Sequence, residues 1–277
     1  MIRGTTELIA HIGWPTYTFK SPMIYNPHFE QAGIDAVVVP MGCKPDNYAA
    51  LLKAVFSLEN VRGALITMPH KVATLALLDE STPTVTIAGA CNAVRRDEQG
   101  RLKGDMFDGE GFVRGLRRKG CRIDGARALV VGAGGVGSAI AASLAAAGVA
   151  AMSLHDARLE SAQALGQRLG SHYPGLEVST GRNDPSECDI VVNATPLGMN
   201  DGDPMPIEVS RIPKSAFVGE VVMKAEMTAF LSAVQQRGCR FQVGSDMLFE
   251  QIPAYLEFFG FPTTTPESLR ATARLSY

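Results

Sequence analysis

No two of the five cysteines in this 277-residue sequence form a C-x-x-C pair. Cys43, Cys91, Cys121, Cys188 and Cys239 are odd in number and widely separated, so neither a zinc site nor a disulfide framework is indicated. They read as small buried hydrophobes, and no metal site is expected. An excess of one charge is also lacking. Lys and Arg number 26 against 28 Asp and Glu, a net charge of -2, which leaves nothing to neutralise a nucleic-acid backbone. No apolar run approaches the ~20 residues of a membrane span. The opening MIRGTTELIA has no long apolar core of the signal-peptide kind. These absences predict a cytoplasmic protein with no nucleic-acid or membrane partner; a monomer or homodimer is expected.

What is present is an ordinary globular composition, 46% hydrophobic and 19% charged, with mean hydropathy +0.07. Strand-like and helix-like stretches alternate. ELIAHIG, IDAVVVPMG and GALITM read as strands. SPMIYNPHFEQAG reads as a helix with Ser21 as N-cap, Pro22 in the first turn and Gly33 past the end. NYAALLKAVFSLEN has helical apolar spacing, and ACNAVRRDEQGRLKGDMF reads as two strands around an exposed turn. After GALITM come Pro69, His70 and Lys71, where a helix-like pattern resumes, so an ammonium group stands where a buried strand stops.

From about residue 125 the βαβ alternation sharpens and predicts a mostly parallel, doubly wound sheet. VVGAGGVG supplies G-x-G-x-x-G as Gly132, Gly134 and Gly137, after a strand and before an Ala-rich helix. The first glycine makes the tight turn, the second admits a pyrophosphate to the backbone N–H groups, and the third lets helix pack on strand. Asp156 ends the next strand, near the ~20-residue offset of a ribose-binding acid. A carboxylate there favours NAD and repels the 2′-phosphate of NADP. Arg158 lies close enough to accept that phosphate, so NADP stays possible. Asp156 also reads as an N-cap for the helix that follows.

Lys71 and Asp108 belong to blocks that resemble the shikimate/quinate dehydrogenase family. LITMPHK is similar to that family's lysine segment NVTxPxK, and GDMFDGEG to its aspartate segment GxNTDxxG. AGACNAV, GAGGVG, VVNATPLGM and GSDMLFEQ follow in family order, so the resemblance spans nearly the whole chain. It implies two α/β domains: a substrate domain over residues 1–104 and 240–277, and a Rossmann-type dinucleotide domain over 105–239. It also implies an NAD(P)-dependent alcohol–ketone interconversion on a cyclic polyol carboxylate, of the kind that belongs to aromatic amino acid biosynthesis. Lys71 is then the general acid/base, with Asp108 as its partner. An ordinary lysine, pKa ~10.4, is a poor base at neutral pH, so the role asks for partial burial. Ser21, Thr67, Asn92 and Gln251 are implied substrate contacts. Gly135, Val136, Ala194, Thr195 and Gly244 join the glycines as implied cofactor contacts.

The chain departs from the family pattern in one direction. The family's HSxSP loop reads TFKSP, with Phe19 at the first serine and only Ser21 retained. Leu65 stands at an asparagine, Met106-Phe107 at Asn-Thr, and Met223 at a tyrosine. Each change replaces a hydrogen-bonding group by an apolar one. A polar ligand group left unpaired against such a wall costs ~1–3 kcal/mol, so an altered substrate preference is expected unless Lys20 or Lys224 offers a new cation. The losses also suit a nucleotide-binding sensor with little turnover. Retention of both Lys71 and Asp108 favours the enzyme, since a sensor has no need of a proton-transfer pair.

Overall fold

The computed structural model describes residues 2–275 and divides the chain into two compact units, Met1–Phe107 with Ile252–Tyr277, and Asp108–Gln251. In the first unit, β1 (Glu7–Gly13), α1 (Pro22–Ala32), β2 (Ala36–Gly42), α2 (Tyr48–Val55) and β3 (Val61–Ile66) alternate as the hydrophobic spacing predicts. There follow β4 (Glu80–Ser81), α3 (Pro83–Ala88), β5 (Ala93–Arg96) and β6 (Leu102–Asp105). The strand order is β2-β1-β3-β5-β6-β4. β1 runs parallel to both its neighbours, and β5 runs antiparallel to β3 and β6 around the turn at Asp97–Gly100. The apolar side chains of β1 and α1, with Ile9, Ile12, Tyr25 and Phe29 almost fully enclosed, supply much of this core.

The second unit holds α4 (Asp108–Arg118), β7 (Arg127–Val131), α5 (Gly135–Ala146), β8 (Ala151–His155), α6 (Leu159–His172), β9 (Glu177–Thr180), β10 (Ile190–Asn193), β11 (Phe217–Glu220), α7 (Ala229–Arg237) and β12 (Arg240–Gln242). Its sheet is wholly parallel, in the order β12-β11-β10-β7-β8-β9. Chain direction across the sheet reverses between β7 and β10, the doubly wound arrangement in which ligands sit outside the carboxyl ends of the strands at the switch point. All four residues of β10 are buried, as expected of a strand covered on both faces. α8 (Gly244–Phe259) starts in this unit and ends in the first, to which α9 (Pro266–Thr272) also belongs.

Several sequence expectations need correction. Ser21 lies in helical geometry and makes no side-chain cap; its carbonyl accepts from Ile24 and Tyr25. The chain after β3 forms a turn and a short 3-10 helix, Ala73–Leu77, rather than a regular helix. α3 and α4 escape the sequence pattern, α3 by its brevity and α4 by its three glycines. The unit boundaries fall after 107 and after 251, later than 104 and 239. β12 pairs with β11, and residues 240–251 thereby belong to the second unit. Among the described residues no helix is long and apolar enough to cross a membrane, and all five cysteines are buried and unpaired.

α4 packs on its sheet through Phe112, whose ring lies over Gly219 of β11. A Cβ on Gly219 would fall 2.2 Å from Cζ of the fully buried Phe112 ring. Gly219→Ala should therefore lower unfolding stability by about 1–3 kcal/mol, read from the urea midpoint at unchanged m-value.

Candidate active site

In the first unit the carboxyl ends of β1 and β3 and the amino end of antiparallel β5 are laced together by main-chain hydrogen bonds beyond the strands. Thr67 N–H donates to Ile12 O at 2.9 Å, Trp14 N–H to Met68 O at 2.9 Å, Ile66 N–H to Asn92 O at 2.8 Å and Cys91 N–H to Lys71 O at 2.9 Å. The turn that carries half-buried Lys71 is thus fixed by the loops on either side. His70, its neighbour, points into the core: Nε2 donates to Cys43 O at 2.8 Å, and the ring stacks on Tyr48 with centroids 4.0 Å apart. His70 is a structural anchor for the turn that carries Lys71.

Of the predicted substrate contacts, Thr67 and Asn92 share this corner. Asn92 is buried, and its Oδ1 accepts from Phe107 N–H at 2.9 Å, while its backbone N–H donates to Asp105 O at 3.0 Å. That bond anchors the residue directly preceding Asp108. Ser21, half-buried, sits at the start of α1. Two departures from the family pattern meet here as well. Leu65 is paired in register with His11 of β1, and the Phe19 ring stacks on the His11 imidazole at 4.0 Å. Burial, and then the Lys71 charge, hold the His11 pKa down at about 4.

In the second unit, buried Asp108 opens α4, where a carboxylate favours the helix N-terminus. Its position is set by close helix packing: a Cβ on Gly109 would lie 2.0 Å from Ala139 O of α5, and one on Gly111 2.6 Å from Met247 O of α8. α8 is tied to α4 by ion pairs, Glu250 with Arg118 and Asp246 with Lys119 at 2.6 Å. Gln251, at the end of this braced segment, is buried with no partner for its Oε1. An amide oxygen left so is an acceptor available to a ligand hydroxyl.

The glycine turn fits a dinucleotide. Gly132 has φ +105°, and a Cβ there would strike Ala194 O at 2.6 Å; a Cβ on Gly137 would lie 1.9 Å from Gly132 O. These contacts draw the ends of β7 and β10 to the N-terminus of α5. Gly134, extended at the helix N-cap, has open space where its Cβ would be, and Gly135 and Val136 begin the helix. That leaves a cradle of N–H groups for phosphate. Asp156 receives Ala133 N–H on Oδ2 at 2.7 Å and Arg158 N–H on Oδ1 at 2.9 Å. It ties the loop after β8 to the glycine loop instead of capping α6, whose N-cap is Arg158. Gly244 admits Val222 O, which a Cβ would meet at 2.2 Å.

Sequence reasoning missed the device behind Ala194 and Thr195. Buried Asn193 donates to Leu197 O at 3.2 Å and to Glu220 Oε1 at 2.8 Å, and accepts the Thr195 hydroxyl at 2.6 Å. Thr228 Oγ donates to Glu220 Oε2 at 2.5 Å. Burial raises the Glu220 pKa against these two hydrogen bonds. The only sequence signal was a carboxylate inside an otherwise apolar strand.

The comparisons with known proteins point to one family. The family model described as the shikimate dehydrogenase substrate binding domain matches residues 12–94. A shikimate dehydrogenase (NADP(+)) of Rubrobacter xylanophilus is 35% identical over 254 residues, covering 90% of this chain and 89% of that one. The shikimate 5-dehydrogenase of Listeria monocytogenes, solved in complex with shikimate and NAD, superposes with a TM-score of 0.91 at 26% identity, covering 98% of this chain and 97% of that one. The ligand-free 5-ketofructose reductase of Gluconobacter sp. strain CHM43 gives 0.88 at 27%, covering 96% and 97%.

His11 makes stability pH-dependent. Its folded pKa, about 4, lies below its unfolded value of 6.5, so the protein binds this proton more weakly when folded. The associated stability is complete above pH 6.5 and is lost as pH falls toward 4, by an amount on the order of 3 kcal/mol. Urea titrations across that window should show the loss in the parent protein and a shallower slope in His11→Leu.

Proposed function

Because the chain belongs to the shikimate/quinate dehydrogenase family, we propose that this NAD(P)-dependent oxidoreductase interconverts a secondary alcohol and a ketone on a hydroxylated ring, prefers NAD to NADP, and has a substrate preference moved away from shikimate. The observation that carries the reading is the pair of fixed turns: the Lys71 turn laced between its neighbours, and the glycine cradle at the switch point of the parallel sheet.

Lys71 is the general acid/base. Its Nζ gives a proton to the carbonyl oxygen in reduction and takes it from the hydroxyl in oxidation. Asp108 is the carboxylate partner that orients the ammonium. Thr67, Asn92, Ser21 and Gln251 hold the remaining substrate hydroxyls, and the Gln251 Oε1 is an acceptor already desolvated for that purpose. Met1–Phe107 with the C-terminal helices forms the substrate domain, and the second unit the dinucleotide domain. Gly132, Gly134, Gly135, Val136 and Gly137 cradle the pyrophosphate. Ala194, Thr195 and Gly244 line the cofactor's path, and Asp156 receives the ribose hydroxyls. When bound, the nicotinamide supplies or accepts the hydride.

NAD preference is supported by the Asp156 carboxylate, held at the glycine loop by two backbone N–H groups where a 2′-phosphate meets its charge. The Rubrobacter relative is named for NADP(+), and Arg158 is the residue here suited to that phosphate. The altered substrate preference is supported by buried Leu65 and Met106 and by Phe19, apolar side chains where the family pattern has hydrogen-bonding ones. A ketose, the substrate in the Gluconobacter reductase's name, carries no carboxylate, so the loss of carboxylate-binding groups costs such a ligand nothing.

Lys71→Ala should cut turnover about a hundredfold or more while NAD affinity, measured by fluorescence titration, stays near the parent value. An unchanged rate with shikimate, quinate and their deoxy analogues would remove the role. Asp156→Ala should lower the NAD-to-NADP ratio of kcat/KM by about tenfold or more, the loss expected for charged hydrogen bonds to ribose. An unaltered ratio would remove the proposed basis of cofactor choice.

A further inference from the structure

His11 is an unusual occupant of a core strand. The alternation of β1 turns His11 and Gly13 to one face and Ile12 to the other, and places His11 in register with Pro40 of β2 and Leu65 of β3. The residue is 6% exposed, and its Nδ1 is enclosed with no hydrogen-bond partner. A buried polar atom left unpaired is costly, and the few that occur call for an explanation.

The ring is also built into place. Phe19 lies on it with centroids 4.0 Å apart and planes inclined by 27°. The Phe19 ring has a seat of its own, since a Cβ on Gly13 would fall 2.9 Å from Phe19 Cζ and 2.4 Å from Thr67 Cγ2. His11, Phe19, Gly13 and Leu65 therefore make a continuous wall around Thr67, at the end of the sheet where the Lys71 turn begins.

We propose that His11 is a specificity-determining residue whose neutral imidazole hydrogen-bonds a substrate hydroxyl, and that the His11–Phe19 wall selects an uncharged hydroxylated ring over one bearing a carboxylate. The proposal rests on the dehydrogenase reading above and names the substrate class of that same site. A neutral imidazole offers one donor and one acceptor, the complement of an alcohol, which does both. His11 keeps that form down to about pH 4. A carboxylate only accepts, and it meets the electron-rich face of Phe19 unfavourably, whereas the C–H groups of a saturated ring pack on that face well. Leu65 adds no donor.

Shikimate and its methyl ester share one ring and differ in charge, and so test the proposal directly. The parent enzyme should use the ester with a kcat/KM about tenfold above that of the free acid, the scale of one well-made contact. Phe19→Ser should move that ratio toward the acid by a similar factor. His11→Leu should raise KM for the ester about tenfold with kcat little changed and cofactor affinity intact. A parent enzyme that prefers the free acid, or a His11→Leu variant with unchanged KM, overturns the proposal. Failure of both compounds with both cofactors would instead overturn the dehydrogenase reading. In that event the imidazole 15N resonances of the unmutated protein decide the fate of His11. A shift of the His11 signals on titration with the methyl ester supports the contact, and their constancy overturns it.

Discussion

The turn that carries Lys71 has almost no freedom to be anywhere else. Ile12, at the end of β1, accepts the Thr67 N–H; the Met68 carbonyl takes Trp14 N–H; and the Lys71 carbonyl takes Cys91 N–H. Below it, His70 is pinned to Cys43 O and to the face of Tyr48, whose hydroxyl bonds Thr74 four residues further on. A lysine is a flexible cation on a long stem, and the proton transfer proposed for Lys71 requires the base of that stem to be fixed. The lacing of three strand ends supplies that fixation. It uses backbone groups, and so tolerates wide changes in the side chains around it.

That tolerance explains how the wall near Lys71 has become apolar without loss of the frame. Phe19 and Leu65 replace polar residues of the family pattern, yet Phe19 is accommodated because Gly13 has no side chain, and Leu65 because its strand is buried on both sides. The second unit obeys the same economy of small residues. Gly109, Gly111, Gly132, Gly137, Gly219 and Gly244 each stand where a Cβ would meet another part of the chain below 3.0 Å. They let α4, α5 and α8 approach closely enough to place Asp108, the phosphate cradle and Gln251. One polar cluster, Asn193–Glu220–Thr228, shapes the turn holding Ala194 and Thr195. It survives burial because its acceptors and donors are matched.

The alternation of elements from β7 onward was legible because a buried parallel strand and an Ala-rich helix have unmistakable periods, and the glycine turn between them has one steric solution. The Lys71 and Asp108 blocks were legible as short patterns with a family resemblance. α4 was not, because Gly109, Gly111 and Gly115 are poor helix formers, chosen for what packs against them. The end of the second unit was placed too early, because the pairing of β12 with β11 joins residues distant from the strand's own signal.

The sequence by itself determined the class of fold, the nucleotide turn, and the presence of Lys71 and Asp108 in the segments that bear them, since each depends on local spacing and on residue types with few alternative uses. It also showed that polar groups had been lost. Only the tertiary structure decided what stands in their place. His11 is an unremarkable strand residue until the return of the TFKSP loop lays Phe19 on its ring, and its Nδ1 is seen to lack a partner only when every neighbouring donor and acceptor has been placed. Contacts between residues close in sequence are written in the sequence. The stacking of one strand end on the loop that follows it depends on where the whole sheet puts them both.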